Sequence, residues 1–213
     1  MTITKICGLT NLDDALCAVD AGAQMLGFIF YAKSPRYVSP TTVRDIVLQT
    51  KARAPSILTV GVFVNEAPQA IRTTLDACGL DLAQLSGDES PETIVMLAGR
   101  AYKAVRSADA ARAFLHVATP AHSHMPDLLL DADHPTLYGG SGVRADESLA
   151  AHMAQQCHLL LAGGLTPANV AEAIRAVRPW GVDVSSGVEA SPGRKDHAKV
   201  RAFVQAANTE NGE

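Results

Sequence analysis

Residues 158–179 read HLLLAGGLTPANVAEAIRAVRP. Leu159, Leu160 and Leu161 make a short apolar run, as a strand does when both of its faces are covered. Gly163 and Gly164 break the run. Thr166-Pro167 then reads as a helix start, a capping residue followed by proline at the first helical position. The segment is a strand, a glycine turn and a helix in succession.

The same unit recurs along the whole chain. Strand candidates are ITKICGL (3–9), MLGFIF (25–30), LTVGVFV (58–64), LDLAQLS (80–86), AYKAVR (101–106), DLLLDA (127–132), HLLLAGG (158–164) and GVDVSSG (181–187). Helical stretches alternate with them. NLDDALCAVDAGA opens on Asn11 as N-cap, with Leu12, Ala15, Leu16 and Val19 along one face. SPTTVRDIVLQTKARA opens on Ser39-Pro40, APQAIRTTLDACG closes on Gly79, and SPETIVMLAG opens on Ser90-Pro91. SADAARAFLHVA, ADESLAAHMAQQC and RKDHAKVRAFVQAA complete the set. Eight strand–helix units in 213 residues predict an α/β fold, a single-domain (β/α)8 barrel of the TIM type over residues 1–207, with a polar tail at 208–213. A doubly wound open sheet is the alternative. Eight short consecutive units without a long insertion argue against it.

Composition narrows the function. A net charge of −4 offers no basic field to nucleic acid, so an anionic ligand must be held by local donors. Cys7, Cys17, Cys78 and Cys157 are scattered and form no CxxC, which suits a reducing compartment. The opening MTITKICGLT has no basic start and no apolar h-region, and no apolar run approaches the ~18 residues of a membrane span. The expectation is a cytoplasmic protein without membrane or nucleic-acid partners. His122 and His124 have no third ligand nearby and read as surface residues, so no metal site is expected.

In such a barrel the active site lies where the strands end, so the residues closing each strand are the candidates. The first strand ends on Cys7-Gly8. A buried cysteine is often a small hydrophobe, yet at a strand mouth its thiolate can do chemistry. Asp131 closes a run of three leucines with a long loop after it. Its reading is either a turn residue or a carboxyl whose pKa burial raises, suiting it to donate a proton. Gly163–Gly164 and Ser185–Ser186 are glycine and hydroxyl loops after strands seven and eight, where phosphate sites recur in this fold. YGGSG (138–142) is a third such loop, either a contact or a lid. Arg36 lies in the second loop and has the shape for bidentate carboxylate recognition. Lys5 and Asp183 each sit two residues below a mouth residue, Cys7 and Ser185, on the first and last strands. Closure of the barrel predicts that they pair inside it, because an unpaired charge there is expensive.

KICGLT (5–10), GFIFYAKSPRYV (27–38), VGVFVN (60–65), LLLDA (128–132), YGGSG (138–142), LAGGLTPANV (161–170) and GVDVSSGVEASPGRKD (181–196) together resemble the phosphoribosylanthranilate isomerase family of tryptophan biosynthesis, in the same order along the chain. The resemblance implies an Amadori rearrangement of a small phosphorylated substrate. It implies Cys7 as general base, Asp131 as general acid and Arg36 at the anthranilate end. It assigns the phosphate to Gly140, Ser141, Gly163, Gly164, Ser185 and Ser186, with no cofactor and no metal. A cysteine base calls for a pKa lowered toward neutrality, with Lys5 and the phosphate-loop amides as the nearby sources. The chain departs from the pattern at Ser86, where relatives usually carry His, and at VRADESL (143–149), where they often carry a Phe-Asp-Trp-like stretch. A barrel that binds a phosphosugar without catalysis, or with different specificity, is the competing reading. The oligomeric expectation is a monomer or a homodimer.

Overall fold

Eight parallel strands close on themselves in sequence order. The computed structural model describes residues 2–115, 125–131 and 150–209. The strands are β1 (Ile3–Ile6), β2 (Met25–Ile29), β3 (Leu58–Phe63), β4 (Leu82–Leu85), β5 (Ala101–Val105), β6 (Leu128–Asp131), β7 (Leu159–Ala162) and β8 (Gly181–Val184). The helices are α1 (Leu12–Asp20), α2 (Pro40–Arg53), α3 (Pro68–Cys78), α4 (Pro91–Met96), α5 (Ala108–Leu115), α6 (helical at 150–154), α7 (Val170–Val177) and α8 (His197–Thr209). This is the (β/α)8 barrel expected from the alternation, and each strand candidate contains an observed strand. Among the described residues no helix is long and apolar enough to cross a membrane.

The capping chemistry works locally at several starts and stops. The Asn11 side chain accepts from the Asp14 N–H, and the Ser39 hydroxyl accepts from the Thr42 N–H ahead of Pro40. Gly79 ends α3 in the left-handed region at φ 68°, where a side chain is disfavoured. The Thr166-Pro167 start is corrected: α7 begins only at Val170. Asn169 takes the preceding turn instead, its Oδ1 accepting from Thr166 N (2.7 Å) and its Nδ2 donating to Gly164 O (3.0 Å). A side chain that bonds both ends of a turn competes with helix there.

Two apolar layers result from the period-two alternation of the strands. Outward-facing residues such as Ile6, Leu26, Phe28, Leu85 and Val182 meet the helices in the larger core. Full burial of each contributes roughly 1.5–3 kcal/mol. Inward-facing Met25, Val60, Leu82, Tyr102, Leu129, Leu160 and Ala162 fill the barrel. Above that fill lies a polar layer. Lys5 Nζ donates to Asp183 Oδ1 (2.9 Å) and to Gln84 Oε1 (3.0 Å), and the Tyr102 hydroxyl donates to the same Gln84 oxygen (3.0 Å). The expected pair therefore forms, with Lys5 opposite Asp183 in the β1–β8 register. Burial pulls the Lys5 ammonium down, but Asp183, with Cys7 and Tyr102, more than offsets it and holds it above its ordinary range.

After β8 the chain makes a short turn (Ser186–Val188) and a hairpin, β9 (Glu189–Ser191) and β10 (Arg194–Lys195), before α8. Asp14 fastens this hairpin to α1. Its Oδ2 accepts from Lys195 N (2.9 Å) and its Oδ1 bonds the His197 ring (2.9 Å). Burial pushes the Asp14 carboxyl up, but the Lys195 N–H, the Asn11 amide and His197 outweigh it and hold the group below its ordinary value.

Two outcomes are expected. Asp183→Ala lowers unfolding stability in urea by about 3–5 kcal/mol, more than the double change Lys5→Met/Asp183→Leu, because the single change strands a buried ammonium. Equal losses from both would show that the pair carries no such penalty. Asp14 contributes stability that is complete above its unfolded pKa of about 3.9 and is lost as pH falls through its lower folded value. Asp14→Asn should therefore flatten the acid limb of a plot of melting temperature against pH, and an unchanged limb would exclude Asp14 as a source of it.

Candidate active site

Cys7 follows directly on β1 and is 5% exposed. Its N–H bonds Val184 O (2.8 Å), which continues the β1–β8 ladder and sets Cys7 beside Ser185 at the mouth. Gly27 of β2 leaves the space the thiol occupies: a Cβ there would lie 2.7 Å from Cys7 Sγ. Gly8 turns the chain at φ 73°, and a Cβ on it would meet both Arg36 Cδ and Ser185 Oγ at 2.7 Å. The glycine after the thiol thus lets Arg36 and Ser185 approach the end of β1.

Asp131 ends β6 and lines one cavity of about 170 Å³ together with Gly163, Gly164, Asp183, Ser185 and Ser186. The β7 and β8 loops meet closely there, since a Cβ at Gly187 would run into Leu165 O. Gly163 and Gly164 have φ of 92° and 62°, conformations that suit glycine. The Ser185 hydroxyl is buried and has no hydrogen-bond partner among the described residues. A buried donor left without a partner is costly, and one at the edge of a cavity is available to a ligand. Gly140 and Ser141, the third loop, lie outside the described residues.

The electrostatics differ from the sequence expectation at the thiol. Burial pushes the Cys7 thiol up; Lys5 and Lys195 pull it down without overcoming burial. The expected shift toward neutrality is therefore reversed, because desolvation of the enclosed thiol outweighs the cations that act on it. Among the described residues no three His, Cys, Asp or Glu side chains gather as a metal-ligand group.

Arg36 is not a solvated loop arginine. Its Nε and Nη2 donate to the two carboxylate oxygens of Glu189, each at 2.8 Å. Lys195, its side chain fully buried, donates to Glu189 Oε1 (2.9 Å) and to the Ser185 carbonyl (3.0 Å). These bonds hold the Glu189 carboxyl below its ordinary range against the upward push of burial, and Glu189 holds the Arg36 guanidinium up. Lys195 is pulled down by its burial, with Glu189 opposing. Sequence reading quoted GVDVSSGVEASPGRKD without singling out Glu189 or Lys195. The available signal was two opposite charges flanking a Ser-Pro-Gly turn, the pattern of a hairpin whose inner positions pair. Ser86, the departure on β4, accepts a hydrogen bond from Gln84 Nε2 (3.1 Å) and so joins the polar layer.

A family model described as N-(5'-phosphoribosyl)anthranilate (PRA) isomerase matches residues 4–206. The N-(5'-phosphoribosyl)anthranilate isomerase of Pelobacter propionicus is 46% identical over 214 residues, covering 100% of this chain and 99% of the relative. The crystal structure of phosphoribosyl anthranilate isomerase from Thermotoga maritima superposes with a TM-score of 0.83 at 43% identity, covering 98% of this chain and 100% of that one. A further isomerase structure, in complex with reduced 1-(o-carboxyphenylamino)-1-deoxyribulose 5-phosphate, gives 0.82 at 40% identity, with 98% and 100% covered. A barrel matched from β1 to α8, at this identity and with this strand order, belongs to the phosphoribosylanthranilate isomerase family.

Proposed function

We propose that the chain isomerises N-(5-phosphoribosyl)anthranilate to 1-(2-carboxyphenylamino)-1-deoxyribulose 5-phosphate in tryptophan biosynthesis, an aldose–ketose rearrangement. The observation that carries the reading is the mouth shared by an acid, a thiol, a glycine loop and a serine loop. Asp131, Gly163–Gly164 and Ser185–Ser186 line one cavity, and Cys7 adjoins Ser185 through the β1–β8 ladder. Phosphate held by the two loops would fix the sugar between the acid on β6 and the thiol on β1.

In this scheme Asp131 gives its proton to the ribose ring oxygen. The C1′–O bond breaks, and the amine lone pair forms an iminium at C1′. Cys7 as thiolate removes the C2′ proton, and the electrons left behind give the enolamine. Proton transfer to C1′ and loss of the C2′ hydroxyl proton yield the ketone. Each bond change is driven by a proton transfer, so one acid and one base supply the catalysis. Burial pushes the Cys7 thiol up from its ordinary value. The iminium is a cation formed beside it and favours the thiolate when the base is needed. Arg36 receives the anthranilate carboxylate, and Gly140–Ser141 would complete the phosphate site. The four free cysteines agree with a cytoplasmic enzyme, acting as a monomer or a homodimer.

The substrate, generated in situ, is followed by its fluorescence decay. Cys7→Ser and Asp131→Asn should each lose roughly 10²–10⁴-fold in kcat. Wild-type decay no faster than background would leave a phosphosugar-binding barrel without this activity. The pH profile of kcat/KM reports the free enzyme, so its rising limb should lie on the alkaline side of the ordinary thiol value of about 8.5. A limb near neutrality would mean that the thiolate exists before the substrate arrives.

A further inference from the structure

Arg36, Glu189 and Lys195 form an ion chain that begins at the second loop and ends on the carbonyl of Ser185. We propose that Glu189 is the positioning residue that aims Arg36 at an arylcarboxylate, and that Lys195 ties this aim to the phosphate loop. The inference rests on the substrate reading above and adds two residues to it.

The donor geometry comes first. A guanidinium has five N–H donors in a planar fork. Glu189 occupies Nε and one hydrogen of Nη2, which among the described residues leaves the Nη1–Nη2 edge for a second carboxylate. An arginine without that clamp samples many rotamers and loses them on binding. Glu189 fixes the side chain beforehand, with Arg36 Cδ lying against Gly8 at the end of β1.

Charge comes second. Arg36 and Glu189 alone sum to zero and would offer hydrogen bonds without net attraction. Lys195 restores one positive charge, and among the described residues its ammonium donates to Glu189 and to the Ser185 carbonyl. Burial pulls this ammonium down from its ordinary value, and the two acceptors, with Glu189 ionised beside it, oppose that pull. The surplus charge adjoins the loop proposed for the phosphate.

Rigidity comes third. Glu189 sits on β9, paired to Lys195 on β10. The hairpin tip is packed on the arginine loop: a Cβ at Gly193 would lie 3.1 Å from Pro35 O, and Thr10 Oγ1 donates to Gly193 O (2.6 Å). Lys199 Nζ donates to the Glu189 carbonyl (3.0 Å). Glu189 is thus fixed through its carboxylate by Lys195, through its carbonyl by Lys199, and through the packing of the hairpin tip on the arginine loop.

The test uses full-length protein, with kcat and KM for the isomerisation and separate binding of anthranilate and inorganic phosphate by calorimetry. Glu189→Gln should raise KM about 10- to 100-fold, as loss of a charge-assisted bond does, with kcat within about threefold. It should weaken anthranilate and leave inorganic phosphate unchanged. Arg36→Met/Glu189→Gln should be no worse than Arg36→Met alone, since the second residue acts through the first. Lys195→Met should weaken both probes. Glu189→Asp should recover part of the anthranilate affinity. Additive losses in the double variant, an equal fall in both probes for Glu189→Gln, or a loss confined to kcat would overturn the proposal while isomerase activity in the wild type left the substrate reading standing. Absence of that activity in the wild type overturns both.

Discussion

The ion pair between Lys5 and Asp183 is the constraint on which the mouth of this barrel depends. A closed sheet must join its first strand to its last in one register, and a shift of one residue exchanges inward and outward faces. At 2.9 Å, and with Gln84 as a further acceptor, the Lys5 ammonium is satisfied only when it stands opposite Asp183. Other registers leave a buried charge without its partner, which costs several kcal/mol. Once that pair is set, the next inward positions follow, and Cys7 stands beside Ser185.

The polar layer also separates two regimes inside the barrel. Below it the fill is apolar, from Met25 to Leu160, and contributes by area removed from water. Above it stand Cys7, Asp131 and Ser185, side chains that are polar or ionisable and small in packing value. Tyr102 bridges the two, its ring in the apolar fill and its hydroxyl on Gln84. The chemistry therefore rests on a floor whose charges are already paired, which lets the mouth hold a ligand without further rearrangement of the core.

Burial acts in opposite senses on the charged groups at the mouth. Glu189 and Arg36 pair with each other, and their bonds outweigh desolvation, so both are ionised. Cys7 is enclosed more fully than Arg36, and although Lys5, with Lys195, pulls the thiol down, burial outweighs them. The result is a pair of ionised groups beside a thiol held above its ordinary value.

The sequence by itself determined the eight units, the closed barrel, and the positions of Cys7 and Asp131 at strand ends, because these follow from local periodicity and from the rule that strand C-termini form the site. It also determined the Lys5–Asp183 pair, since alternation along two strands plus closure leaves one arrangement for two inward charges. Tertiary structure alone decided what Arg36 touches: Glu189 is 153 residues away, on a hairpin whose packing against the second loop no spacing records. It decided that Gly27 makes room for a thiol, and that Asn169 delays α7 to Val170. It decided as well the direction of the thiol's shift, which depends on how completely neighbours exclude water from it. Patterns within one element are read along the chain, whereas enclosure and partnership across the fold are set by distances that exist only after folding.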